Sequence, residues 1–355
     1  MEVGLLILGD HLADPTSGVR VSPAARYRQI VELGVAAEAA GFALVCLGEH
    51  HLCDYILSAP PVVLAAIGER TQRIRLGTGV TLLGSLDPVR AAEDYATVDV
   101  LSNGRLELVV GRGILRRTYA DFGFDPGDSR ALFEEAVELL LAVWSEPVAT
   151  WRGRFRAPLE GVTVQPRPVQ TPHPPVWIGG GSSAESVDLA ARLGLPLLLP
   201  SVLAAPEVFR PLADRYRARF TPTAHGAQPR VGAVSHVHVA RDSQTARARW
   251  RPHHLHYLEW VSNELVPWAG ANVGPTGAPM PQHVRFDFEK LCEKGPALCG
   301  SPAEVLERME GIREALALDL HLVMFDHGAL PDALLRDSFD RFGAEVLPRV
   351  QSSRR

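Results

Sequence analysis

The stretch Gly41-Phe42-Ala43-Leu44-Val45-Cys46-Leu47-Gly48-Glu49-His50-His51 shows the unit from which the rest of the chain is built. Upstream, residues 24–40 place Ile30, Leu33, Val35 and Ala37 at helical spacing, and Gly41 stands where such a helix stops. Residues 43–47 then form a short continuous apolar run, the pattern of a strand covered on both faces. The run leaves through Gly48 into three polar residues, Glu49-His50-His51. The unit is helix, buried strand, polar exit.

Outward from this stretch the unit repeats. Further apolar runs occupy residues 3–8, 74–83, 105–110, 176–178, 195–199, 230–239 and 318–325. Helical patterns at 60–69, 88–101, 129–144, 302–314 and 330–347 separate them, with another ending near Ala191 and a long one from Ser243 into the Trp260 region. Eight buried strands alternating with helices predict a parallel α/β fold, a closed (β/α)8 TIM barrel, with an open doubly wound sheet as the runner-up. One domain is expected over 1–350, followed by a frayed tail at 351–355. Two excursions interrupt it. Residues 146–175 lose periodicity and suggest a small hairpin near 149–157, and residues 263–298 are rich in Gly and Pro and read as a long functional loop.

Composition narrows the function classes. With 46% hydrophobic and 22% charged residues over 355 positions, burial suffices without metals or disulfides. A net charge of −5 argues against general binding to nucleic acid or anionic membranes, and leaves room for a local basic pocket holding one phosphate. Cys46, Cys53, Cys292 and Cys299 show no CxxC spacing, and no basic leader or membrane-length apolar run is present. A cytoplasmic protein is expected.

In a barrel, chemistry sits on the loops leaving the C-terminal strand ends. Glu49-His50-His51 offers an imidazole for acid–base work near neutral pH, with Glu49 to orient it; two histidines that merely cap a strand are an equal alternative. Gly77-Thr78-Gly79-Val80-Thr81 lets a flat ligand approach the backbone, or is a simple bend. Arg112, between Gly111 and Gly113, and Arg130, after Ser129, are phosphate candidates in a chain where surface arginines are common. Gly179-Gly180-Gly181-Ser182-Ser183-Ala184-Glu185-Ser186 is a strand-to-helix turn offering backbone N–H groups to an anion, although Ser182 serves equally as an N-cap. No metal site is expected: His253, His254 and His256 do not align on one helical face, and His236 and His238, on one face of a strand, read as structural or rim residues.

Taken in order, several segments resemble the bacterial luciferase-like superfamily of flavin- and deazaflavin-dependent oxidoreductases. They are Glu49-His50-His51, Asp87-Pro88-Val89-Arg90-Ala91-Ala92-Glu93-Asp94, Leu101-Ser102-Asn103-Gly104-Arg105-Leu106-Glu107 running into Gly111-Arg112-Gly113, Ser129-Arg130-Ala131-Leu132, and the 180–186 turn leading to Gly194-Leu195-Pro196. The resemblance implies a (β/α)8 barrel binding FMN at the C-terminal strand ends. It implies catalysis at His50, with Glu49 and His51 in support. Phosphate would be held by Arg112, Arg130, Ser182, Ser183 and Ser186 around Gly181. A non-prolyl cis peptide under the flavin ring would fall on Gly79-Val80, and residues 263–298 would be a mobile lid. The implied reaction uses reduced FMN from a separate flavin reductase and O2, through a C4a-peroxyflavin, on a small organic substrate such as a secondary-metabolite intermediate. The implied assembly is a homodimer. A coenzyme F420-dependent reductase or dehydrogenase on the same barrel is the alternative. Luciferases proper carry a reactive cysteine just before the arginine; Gly111 stands there, so a monooxygenase other than a light emitter is expected.

Overall fold

The computed structural model describes residues 1–180, 183–202, 204–265, 267 and 286–352. Eight parallel strands close on one another. They are β1 (Glu2–Ile7), β2 (Leu44–Leu47), β3 (Arg75–Thr78), β4 (Leu106–Gly111), β7 (Val176–Gly179), β8 (Leu197–Leu198), β9 (Val231–Val239) and β11 (Leu320–Met324). Two further strands, β5 (Ala149–Trp151) and β6 (Leu159–Val162), form an antiparallel hairpin, and β10 (Ala297–Gly300) pairs with the far end of β9. Neighbours run β1-β2-β3-β4-β7-β8-β9-β11, and β11 returns to β1 through Glu2↔Leu320 to Leu5↔Val323. The closed barrel is thus present, and the open sheet is excluded.

Helices cover the outside. Those that position the site are α1 (Pro23–Ala40), α2 (Pro60–Gly68), α3 (Pro88–Leu101), α4 (Arg116–Asp121), α5 (Ser129–Ser145), α6 (Ala184–Leu193), α7 (Arg210–Arg219) and α8 (Ser243–Trp260). Their starts follow local chemistry. Ser22 accepts from the Ala25 N–H ahead of α1, and Asp87 accepts from Val89 and Arg90 N–H ahead of α3, each followed by a proline in the first turn. Gly41 ends α1 at φ 92°, a left-handed stop that a side chain rarely adopts. Between strands and helices lies the main core, with Trp144 and Trp250 fully buried in it, and a second apolar cluster around Leu6, Val109, Trp177 and Leu322 fills the barrel interior. No helix among the described residues is long and apolar enough to cross a membrane.

The N-terminal end of the barrel is closed by charge. Arg75 at the start of β3 pairs with Glu107 and, at 2.7 Å, with Glu2, while Glu107 also accepts from the Trp177 indole at 2.6 Å. Arg230 reaches Glu2 and lies over the Trp177 ring. The C-terminal end therefore carries the open face.

Three sequence expectations change. The run 74–83 is not one strand: β3 stops at Thr78, the chain turns, and Thr81 rejoins β4 by a single bridge to Val110. Both pieces are apolar, so the break was invisible to pattern. The hairpin expected near 149–157 extends to Val162, because its second strand begins only at Leu159. Residues 263–298 do not lack structure throughout: they hold α9 (Phe288–Glu293) and the start of β10, and α8 passes into a π-helical turn at Val261–Leu265. The remainder of the expected lid, 266 and 268–285, lies outside the described residues.

Candidate active site

At the C-terminal end of the barrel two cavities adjoin. One, of about 230 Å³, is walled by Glu49, His50, His51, Tyr55, His236 and Tyr257 among others. The second, of about 180 Å³, reaches Gly111, Gly179, Gly180 and Ser186. Both share Leu8, Gly79, Val80, Arg112, Gly113, Ile114, Pro200 and Val202, so they adjoin along one common wall as an elongated space. Their combined size suits a cofactor-sized organic ligand, for which sites of a few hundred Å³ are usual.

The histidine triplet is divided by its environment. The turn after β2 is held by His50 N–H donating to Leu57 O at 3.0 Å. Glu49, buried, accepts from His51 Nε2 at 2.8 Å and from Leu82 N–H at 3.1 Å. Glu49 therefore orients His51, whereas the sequence reading gave it the task of orienting an imidazole without deciding which. His50 instead stacks on Tyr55, with ring centroids 3.8 Å apart, and its Nδ1 is buried without a protein hydrogen-bond partner. Burial, reinforced by repulsion from His51, lowers the His50 pKa to about 3. At neutral pH this imidazole is uncharged and offers one hydrogen-bond donor and one acceptor, rather than an imidazolium.

Tyr55 and Tyr257 were missed by the sequence reading. Their hydroxyls lie 2.7 Å apart, joining the β2 loop to α8 across the cavity roof. Burial raises both hydroxyl pKa values, so both are neutral donors at ordinary pH. Neither belongs to a periodic pattern or motif, and their meeting spans 202 positions.

The common wall depends on missing side chains. The Gly79–Val80 peptide is cis, as the resemblance implied. A Cβ added at Gly111 would sit 2.6 Å from Val80 Cγ2, and one added at Gly179 would sit 2.6 Å from Val80 Cγ1. Val80 thus stands on two bare backbones, with its peptide presented to the cavity.

The cationic end is assembled from three elements. Arg112 follows β4; its carbonyl accepts from the Tyr119 hydroxyl at 2.7 Å, and among the described residues no carboxylate pairs with its guanidinium. Partial burial lowers its pKa, opposed by Tyr119 and Glu185 and reinforced by the nearby Arg130 and Arg116 charges. Arg130, on the first turn of α5, is half-exposed and pairs with Glu185 at 2.9 Å; it lines neither cavity. Ser183 caps α6, its hydroxyl accepting from Ser186 N–H and lying 3.3 Å from Ser186 Oγ, and Ser186 reaches the second cavity. Gly181 and Ser182 lie outside the described residues. A half-buried guanidinium with no carboxylate partner among the described residues, beside a capped helix N-terminus, fits a phosphate group chemically.

The expected histidines of α8 also separate. His253 Nδ1 faces Gly328 O at 3.2 Å, while His254 leaves its own helix to meet His327 and His236. Spacing along α8 relates residues of one helix only, whereas this cluster draws one histidine from each of three elements.

Comparison with known proteins adds the lineage. A family model described as luciferase-like monooxygenase matches residues 1–319. The oxygenase component of the flavin-dependent trigonelline monooxygenase of Acinetobacter baylyi is 23% identical over 334 residues, covering 92% of this chain and 91% of its own. Among solved structures, monooxygenase RslO1 from Streptomyces bottropensis has a TM-score of 0.80 at 26% identity, covering 99% of this chain and 100% of its own. The oxygenating constituent of 3,6-diketocamphane monooxygenase from Pseudomonas putida, a type II Baeyer–Villiger monooxygenase in complex with FMN, shares the fold at TM-score 0.76 and 17% identity, covering 98% of each chain.

Proposed function

The chain belongs to the luciferase-like monooxygenase family, and from that premise we propose that it is an oxygenase component that takes reduced FMN from a separate flavin reductase and uses O2 to oxidise a small organic substrate. The observation that carries this reading is Arg112, a half-buried guanidinium without a carboxylate partner among the described residues, which lines both parts of the elongated cavity. Reduced flavin, when bound, supplies the electrons for oxygen activation.

The chain's own residues have separable tasks. Arg112, with the Ser183–Ser186 cap, holds the phosphate, and Arg130 supports the same end through Glu185. The Gly79–Val80 peptide and the bare backbones at Gly111 and Gly179 give a flat ring system close backbone contact. Leu82, Ile114, Leu115 and Val202 keep the reacting end dry, which strengthens every polar interaction there. His50, neutral and stacked on Tyr55, holds or passes a proton at Nδ1 or Nε2.

Anaerobic titration tests the assignment. Reduced FMN should bind saturably, and Arg112→Ala should weaken it about 30-fold, the loss of one charge-assisted contact, while riboflavin is unaffected. Equal losses for both ligands would remove the phosphate role. Tight binding of reduced F420 with none of reduced FMN would replace oxygen activation with hydride transfer on the same barrel.

A further inference from the structure

His236 on β9, His254 on α8 and His327 just after β11 place one ring nitrogen each within 4.8 Å of the others, and all three side chains are buried. His254 Nδ1 and His327 Nε2 are 2.9 Å apart. The His236 and His327 rings lie 4.3 Å apart, centroid to centroid, and His236 stands edge-on to His254 at 5.1 Å. Both nitrogens of His236 and Nδ1 of His327 are buried without a hydrogen-bond partner. Buried polar atoms are seldom left so, because each forfeits its hydration with nothing in return. Three converging imidazoles on rigid elements, two of them carrying orphaned nitrogens and the third hydrogen-bonded to its neighbour, form a donor set.

We propose that His236, His254 and His327 bind a divalent first-row transition cation at the border of the substrate cavity. Imidazole nitrogen suits Zn²⁺, Co²⁺, Ni²⁺, Cu²⁺ and Fe²⁺, and disfavours the oxygen-seeking Mg²⁺ and Ca²⁺. Three protein ligands leave a coordination position to be filled from outside the set. His236 is part of the cavity wall, so that position borders the space where a substrate heteroatom or water sits. Trp250 stacks flat on His254, with centroids 4.0 Å apart, and fixes the orientation of its ring. Burial keeps the imidazoles unprotonated, the form a cation requires.

The site stands apart from the flavin reading, and its test does not use turnover. The tag-free full chain is stripped with chelator, equilibrated with Zn²⁺ or Co²⁺, freed of excess by gel filtration and analysed by elemental mass spectrometry. About one equivalent should remain, and the Co²⁺ form should show the visible bands of a low-coordinate nitrogen site. His236→Phe, chosen to keep the ring volume, should lower retention at least tenfold with an unchanged far-UV circular dichroism spectrum. Retention of less than about a tenth of an equivalent by the wild-type chain, or equal retention by His236→Phe, overturns the site. If His236→Phe does not fold, the wild-type stoichiometry and Co²⁺ spectrum decide alone. Loss of FMN binding with metal retained would break the flavin reading and leave this one intact.

Discussion

Two walls of the candidate cavity carry histidine, and they differ in the company the imidazoles keep. On the β2 side, His51 faces the buried Glu49 carboxylate, and His50 beside it stacks on Tyr55. On the β9 side, His236, His254 and His327 face one another and the aromatic rings of Trp250 and Tyr257, with no carboxylate among them. His51, with an acid partner, is held to one orientation beside His50, the ring proposed to handle the proton. The β9-side imidazoles, with no such neighbour in their cluster, are kept as neutral lone-pair donors. One residue type thus serves two chemistries, and the second neighbour decides which.

The contrast is sharpest at His50. His50→Ala should lower kcat by about a hundredfold or more, the usual scale for losing a positioned acid–base group, with little change in flavin affinity. Unchanged turnover in a steady-state oxygen-uptake assay would remove the proton-handling role from the β2 wall.

Acid should then unsettle the barrel through its buried imidazoles. Burial lowers the pKa of His50 on the β2 side to about 3 and of His321, buried within β11, to about 4, against about 6.5 for an exposed imidazole. Below about pH 6.5 the unfolded chain takes up protons at these positions and the folded chain does not. Stability contributed by each neutral imidazole is therefore full above that pH and falls on acidification, by about 2 kcal/mol per group at pH 5. Asp326, raised to about 7 by burial, works in the opposite sense, since its protonated folded form gains as pH falls. The histidines outnumber it, so Tm should fall between pH 7 and pH 5, and a flat Tm would contradict the burial of these rings.

Glu49→Gln keeps the shape and removes the charge. It should cost about 1–3 kcal/mol in denaturant unfolding and leave His51 free to turn, with kcat reduced less than in His50→Ala. Smallest of all, Tyr257→Phe breaks the hydroxyl contact between the walls and should cost about 1 kcal/mol. A larger loss would mean that the walls are mechanically one unit.

The same difference explains what was readable before the fold was known. All eight barrel strands were marked by their own apolar runs, because a strand buried on both faces needs no partner to reveal itself. Glu49-His50-His51 and Gly111-Arg112-Gly113 were readable because contiguous residues leave one strand end together. β10 was hidden at the end of a Gly- and Pro-rich stretch, and its four residues carry too little pattern to stand out. The end of β3 was overrun because the chain rejoins β4 at Thr81 after the turn. The β9-side histidines were scattered over positions 236, 254 and 327, and only barrel closure, which is long-range by nature, brings them into one place.

Gly111 and Val80 behave, in heredity, as a single trait written at two positions. With 2.6 Å between a Cβ at 111 and the Val80 methyl, no side chain can appear at 111 until residue 80 shrinks or shifts. Substitution at 111 alone is a step downhill, whatever the incoming residue might do chemically. A thiol there requires residue 80 to give way, by a rotamer shift or a smaller side chain, so a mutant library gains by varying the two together.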